Sequence, residues 1–217
     1  MGRREDKREL TRQQLLDAAA ILFAERGYES TSIEDVAEKA NVSKGTFYYH
    51  FDSKEALVIA LRSSFVADTI DEAFRNLANG HSALTVLEKL LLDTASFTEK
   101  EPELSKVFYE QRVQQFFFHE EAVEVLETGQ RRNFRTAIYE LICEAQKCSQ
   151  IRADVSPQEL VGMIGACFLH AQGAWLSSRR SGSLVEQVHR WIHVMLDGMG
   201  SKAYRDQVIC PLTLQQR

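Results

Sequence analysis

Apolar residues recur at three- and four-residue intervals along nearly the whole chain, the spacing that puts them on one face of a helix. Leu15, Ala18, Ala19, Leu22 and Phe23 make the first such face. Thr11 with Gln14 predicts a capping box opening that helix, and Gly27 closes it where a left-handed residue is wanted. A second box, Thr31 with Glu34, predicts a short helix whose inner face is Ile33, Val36, Ala37 and Ala40 and which ends at Asn41. Ser43 caps a third helix after a two-residue break, with Val42, Phe47 and Phe51 on its apolar side. Ser53 caps a fourth, carrying Leu57, Leu61 and Phe65 and running to the Asn79-Gly80 stop. Coarser periodicity predicts further helices at about Ala83 to Thr98, Glu103 to Phe118, Glu120 to Cys148, Pro157 to Ser178 and Leu184 to Asp197. Pro157 suits a first-turn position, and the segment from Ala203 onward lacks an anchor. No alternating strand pattern and no internal repeat interrupts this. The expected fold is all-α: a three-helix domain over residues 1–53 and a larger helical domain over 54–217.

Composition sharpens this reading. With 44% hydrophobic and 26% charged residues and only three prolines, the chain can bury a core and form long helices. Its start, MGRREDKREL, does not resemble a signal peptide, and no run of eighteen uncharged apolar residues is seen. The apolar region Leu160 to Leu176 contains His170 and Gln172 and reads as a buried helix, so a cytoplasmic protein without a membrane span is expected. Cys143, Cys148, Cys167 and Cys210 form no C-x-x-C pair and read as idle thiols. A net charge of −5 argues against indiscriminate coating of nucleic acid, but Arg3, Arg4, Lys7, Arg8 and Arg12 make the N-terminal arm locally basic.

Two short helices joined by a tight turn and preceded by a packing helix form a helix-turn-helix, whose second helix can enter the major groove of DNA. Burying Phe47 points Lys44, Thr46, Tyr48 and Tyr49 largely outward, offering an ammonium, hydroxyls and aromatic edges to phosphates and thymine methyls. Gly45 lets backbone approach the duplex, and Lys54 begins the next helix where a phosphate could be held. Taken singly, Tyr48 and Tyr49 read as core aromatics, His50 as a helix-end histidine and Lys54 as a solvated charge. Two capping boxes at the correct spacing join them into one surface.

The stretch LLDAAAILFAERGYESTSIEDVAEKANVSKGTFYYHFDSKEAL, residues 15–57, resembles the DNA-binding domain of the TetR family of transcriptional regulators throughout its length. The resemblance implies that Thr31 and Ser32 lie beside the DNA backbone. It places Lys44, Gly45, Thr46, Tyr48, Tyr49 and His50 on the recognition helix, with Lys54 on a phosphate. It also implies a homodimer on a pseudo-palindromic operator, paired through the helices at about 157–178 and 184–197. Such a regulator, a repressor in preference to an activator, is released from its operator by a small molecule. The apolar positions Leu160, Val161, Ile164, Cys167, Phe168, Ala171 and Trp175, with Gly162, Gly165, Gly173 and Ala174 for close approach, suit the pairing or the protomer core. The middle aromatics Phe97, Phe108, Tyr109, Phe116, Phe117, Phe118, Phe134 and Tyr139 suit a core or a ligand pocket, for which Phe108, Gln111, Arg112, Phe134 and His170 are the candidate lining residues.

An enzyme is the competing class, but no phosphate-binding loop, H-E-x-x-H or G-x-S-x-G motif occurs, so no catalytic residue and no cofactor is assigned. A helical dimer acting by protein contact alone is the other, and the Lys44-to-Lys54 segment speaks against it. His189 and His193, one turn apart, could hold a metal with a third ligand; none is evident in the sequence, and they read as helix surface with no metal.

Overall fold

A computed structural model describes residues 3–118, 132–177 and 182–197, without side chains for 3–5 and 111–118. Among the described residues there are nine helices and no strand. They are α1 (Arg3–Arg26), α2 (Ile33–Lys39), α3 (Lys44–His50), α4 (Lys54–Ala78), α5 (Ala83–Lys100), α6 (Pro102–Phe118), α7 (Phe134–Lys147), α8 (Pro157–Ser177) and α9 (Leu184–Asp197).

Local signals set most boundaries. Gly27 ends α1 at φ 82° and Asn41 ends α2 at φ 55°, the left-handed conformation that stops a helix by giving its last carbonyls new donors. Ser43, Ser53, Ser82 and Asn133 each accept a hydrogen bond from the backbone N–H three residues on.

Three expected starts are displaced. Thr11 is not a cap: α1 already runs from Arg3, and the Thr11 hydroxyl donates to the Lys7 carbonyl at 3.0 Å. The arm before it is made of good helix formers, so nothing there halts the helix. The capping box of α2 belongs to Ser32 and Asp35, one residue later than Thr31 and Glu34, because the Thr31 side chain turns inward and donates to the Gly27 carbonyl at 2.8 Å. The helix expected from Glu120 begins at Phe134, where Asn133 caps it; the expected portion over residues 119–131 lies outside the described residues.

Two apolar cores organise the molecule. The first joins Leu15, Leu16, Leu22, Phe23, Val36, Phe47 and Phe51 of α1–α3 to Leu57 and Val58 at the start of α4 and Leu104 of α6. The second joins the rest of α4 to α5, α7, α8 and α9 through Ile70, Leu90, Ile138, Leu141, Phe168, Trp175 and Val188. Helix α4 is therefore common to both. Its 25 residues amount to a rod of roughly 37 Å, leading from one core into the other.

Helix α8 is long and apolar enough to cross a membrane by length and composition. It packs against α6, α7 and α9 within the bundle. Val161, Phe168, Ala171 and Trp175 face the protomer core, whereas Met163, Ala166, His170 and Ala174 face outward. Gly173 serves the protomer too: a Cβ there would lie 2.0 Å from the Tyr109 hydroxyl of α6.

Adding that methyl forces the Tyr109 ring off its seat. Gly173→Ala is expected to lower stability by about 1–3 kcal/mol, the usual cost of overpacking. Thermal unfolding checks this, and combining it with Tyr109→Ala should cost less than the two losses added together.

Candidate nucleic-acid interface and ligand cavity

Helix α3 has only seven residues, too few to persist in water alone. It is held at its start by Ser43, whose Oγ accepts from Thr46 N at 3.0 Å and lies 2.9 Å from the Thr46 hydroxyl. Along its inner face it is held by Phe47, which is fully buried and packs edge-on or tilted against Tyr48 and Phe51. The opposite face is open: Tyr48 and Tyr49 are 47% and 68% exposed, and Lys44 and Gly45 are exposed beside them. Thr46 and His50 are half-buried at the margins.

The charges around this face differ in how firmly they are held. Lys44 pairs with Glu34 of α2, a contact that raises the lysine pKa and lowers the carboxylate's, but both groups sit in water and the pair is exchangeable. Arg8 and Arg12 of α1 lie over the rings of Tyr49 and Phe51 at 5.6 and 5.2 Å. The basic arm thus borders the open face, although the sequence reading assigned no arginine to the interface. Burial, then the charges of Arg8 and Arg12, lower the His50 pKa below the usual imidazole value, so its ring is neutral at pH 7.

Two expected contact residues are differently placed. Thr31 is 1% exposed with its hydroxyl bonded internally, so its side chain offers nothing to a duplex; Ser32, the actual cap, is exposed. Lys54 is half-buried, its ammonium donating to the carbonyls of Tyr28 and Thr31 at 3.0 Å each and lying 4.1 Å from the Tyr28 ring centre. The Tyr28 hydroxyl in turn donates to Glu55 at 3.0 Å; burial and that carboxylate hold it protonated far above neutral pH. Lys54 therefore fastens the start of α4 to the α1–α2 loop.

A cavity of about 280 Å³ opens between α4, α5, α6, α7 and α8. Phe108 and Phe134 line it as expected, with Ile70, Val161 and Phe168. Gln111 and Arg112 lie outside the described side chains. His170 does not line it: it is exposed and stacks on Trp191, rings 5.8 Å apart, while Gln172, two positions on, faces the cavity and donates to Thr98 at 3.0 Å.

Sequence reasoning missed the most unusual lining residue, Arg62 of α4. It is 2% exposed, and its guanidinium lies 4.0, 5.0 and 5.7 Å from the ring centres of Phe97, Phe65 and Phe108. A 3.4 Å bond to the Thr94 carbonyl is its one polar contact among the described residues, where its Nε and Nη1 have no partner. Burial lowers its pKa to about 9, which leaves it charged at neutral pH. Arg132 and Arg135 also line the cavity, and the described lining contains no carboxylate.

The family model for bacterial regulatory proteins of the tetR family matches residues 15–61, which span α1 to the start of α4. The transcriptional repressor KstR2 of Rhodococcus jostii is 29% identical over 196 residues, covering 88% of this chain and 91% of that one. Residues 15–61 are a tetR-family DNA-binding domain by the family match, and the similarity to KstR2 extends through the rest of the chain. A Bacillus subtilis regulator, YvdT, is 32% identical over 97 residues, 45% of this chain and 50% of its own length. The fold is shared with the TetR-family repressor FadR of Thermus thermophilus, solved with lauroyl-CoA, at a TM-score of 0.68, 23% identity and coverage of 88% and 96%. The matched domain and the similarity to KstR2 make this chain a DNA-binding transcriptional regulator with an N-terminal helix-turn-helix, in which α3 is the second helix.

Removing the α4 fastening should show as a loss of fold stability. Lys54→Ala is expected to cost about 1–3 kcal/mol, for two hydrogen bonds from a charged donor and a cation–π contact. Tyr49→Ala, on the open face, should leave the unfolding midpoint within error; denaturant titration of both compares them directly.

Proposed function

We propose that this TetR-family regulator is a homodimeric repressor that grips a pseudo-palindromic operator through α3 and is released when a small amphiphile with an anionic group enters the cavity. The observation that carries the reading is Arg62: a charged, almost fully buried group whose Nε and Nη1 are unpaired among the described residues, on a helix common to both cores.

On DNA, Lys44 would trade Glu34 for a phosphate, Tyr48, Tyr49 and Thr46 would meet base edges and phosphates, and Gly45 would admit the duplex closely. Ser32, Arg8 and Arg12 would flank this contact. His50, being neutral, would contribute a hydrogen bond and no charge. The outward face of α8 and α9, with Met163, Val194 and Leu196 each more than 40% exposed, supports pairing of two copies there. Two recognition helices held about 34–36 Å apart would then read two half-sites on one side of the duplex. Such a protein acts in the cytoplasm with the DNA it binds.

For the ligand, the apolar lining suits a hydrocarbon body, while Arg62 and Arg135 would donate to a carboxylate or phosphate; Arg132, beside them, is already paired with Glu140 at 2.9 Å. The lauroyl-CoA held by Thermus thermophilus FadR is a molecule of this kind. Drawing Arg62 toward the anion would shift α4, and the Lys54 fastening eight residues earlier would carry the shift to the α1–α2 loop. DNA and ligand then favour different states, and each weakens the other's binding by the same factor.

Selection of bound sequences from a random pool, read out by gel shift, tests the DNA half. A pseudo-palindrome bound two chains at a time is expected, and Lys44→Ala and Tyr49→Ala should each weaken it about tenfold, a loss of about 1.4 kcal/mol. A single half-site bound by one chain would overturn the dimer, and unchanged affinity in both variants would overturn the interface.

Arg62→Met tests the ligand half, because it keeps a long side chain and removes the charge. Its unfolding midpoint should equal or exceed that of the unsubstituted protein, since an unpaired buried charge costs several kcal/mol. Release of DNA by acyl-CoAs and fatty acids should need at least about ten times more ligand. Release at unaltered concentrations would show that Arg62 does not receive the anion.

A further inference from the structure

On the far side of the molecule from α3, α9 lies along α5, and Val188 and Ile192 bury between them. The residues after these, His189 and His193, stand one turn apart at the margin of that contact. Helix α5 presents Glu88 there, the residue after buried Leu87. The two Nε2 atoms are 3.2 Å apart, and a Glu88 carboxylate oxygen is 3.5 Å from His189 Nε2 and 3.7 Å from His193 Nε2. The sequence reading left the histidine pair without a third ligand. The fold supplies it from a residue about a hundred positions away.

We propose that Glu88, His189 and His193 form a site for a divalent transition-metal ion of the zinc class. Metal–ligand bonds of about 2.0–2.1 Å at tetrahedral angles put ligand atoms about 3.3–3.4 Å apart, and the three observed separations bracket that value. Two neutral imidazoles and one carboxylate are the donors such an ion prefers over magnesium or calcium, which take oxygen. Three protein ligands leave one coordination position for water at this exposed margin.

Competition from neighbouring charges is small. Lys89 pairs with Asp93 and Glu72, and Arg190 with Glu186, so among the described residues no ammonium or guanidinium pairs with Glu88. The three atoms converge on one point, and an ion there would take a lone pair from each. Because α5 and α9 are already packed, little ordering remains when an ion binds. The ion would join α9 to α5 at the rim of the second core. Both histidine side chains are about half exposed, which leaves an entry path from solvent.

The test uses the full chain without a polyhistidine tag, stripped by chelator and titrated with zinc chloride by calorimetry. Cobalt(II) absorption reports the coordination geometry. One ion per chain is expected at roughly micromolar affinity or tighter, with a tetrahedral cobalt spectrum and a raised unfolding midpoint. His189→Ala and His193→Ala should each weaken uptake at least tenfold and abolish the rise in midpoint. Glu88→Gln, isosteric and metal-poor as a ligand, should weaken uptake without altering the stability of the stripped protein. No saturable uptake by the unsubstituted chain would overturn the site and leave a proton-sharing pair. Equal uptake by all three variants would place any bound ion elsewhere and overturn it as well.

Discussion

The burial of Phe47 is the constraint on which the DNA-facing surface depends. A helix of seven residues gains too few internal hydrogen bonds to offset its nucleation cost, so α3 exists only because Phe47 and Phe51 are sequestered against α1, α2 and α4. Fully burying one phenylalanine contributes about 1.5–3 kcal/mol, more than a cap and comparable to the stability differences that decide whether a short segment is ordered. The same burial fixes rotation about the helix axis. With Phe47 inward, Lys44, Tyr48 and Tyr49 have nowhere to point but out, and an exposed pair of tyrosines follows from packing before any DNA is present.

Helix α4 extends that constraint through the molecule. Its first turns complete the core under α3, its middle carries Arg62 into the cavity, and its later turns build the second core through Ile70 and Ala73. A packed interior does not deform smoothly, so in the proposed mechanism a force at Arg62 would move the helix as a body instead of dissipating in side chains. The Lys54 ammonium, which grips two carbonyls of the α1–α2 loop, would make the first core follow. The contrast with Lys44 is instructive: both lysines have partners, but one pair is water-exposed and exchangeable while the other is half-buried and aimed at backbone. Position relative to solvent, not residue type, separates an exchangeable lysine from a fastening one.

The sequence was most legible where a single residue decides local backbone geometry. Gly27, Asn41, Ser43, Ser53 and the Asn79-Gly80 stop sit where their spacing predicted, because caps and left-handed residues act within three or four positions. Failures came where tertiary surroundings choose between local equals. Thr31 and Ser32 are both good caps, and only the inward pull of the Gly27 carbonyl on Thr31 settles the matter. His170 and Gln172 lie about 200° apart around α8, so misjudging the helix rotation exchanged an outward residue for a lining one. Arg62 carries no local mark at all, since an arginine one residue after Leu61 looks like the polar edge of an amphipathic helix. Glu88 is equally silent: what distinguishes it is the crossing of α5 with α9.

Arg62 also sets a limit on what the cavity can do. Its three aromatic neighbours return part of the lost hydration, since a cation over a ring face gains up to about 2 kcal/mol when water is excluded. They cannot satisfy the planar N–H donors, and among the described residues a single long bond to the Thr94 carbonyl leaves most of that capacity unused. An anion placed there would gain from its own pairing and from meeting donors left unpaired among the described residues. In the proposed mechanism, that gain would shift the DNA-binding equilibrium only to the extent that it differs between two positions of α4. A neutral ligand of the same shape would lack this contribution. The buried cation would then make the cavity selective for charge through the work a ligand can do on α4, over and above how tightly it is held.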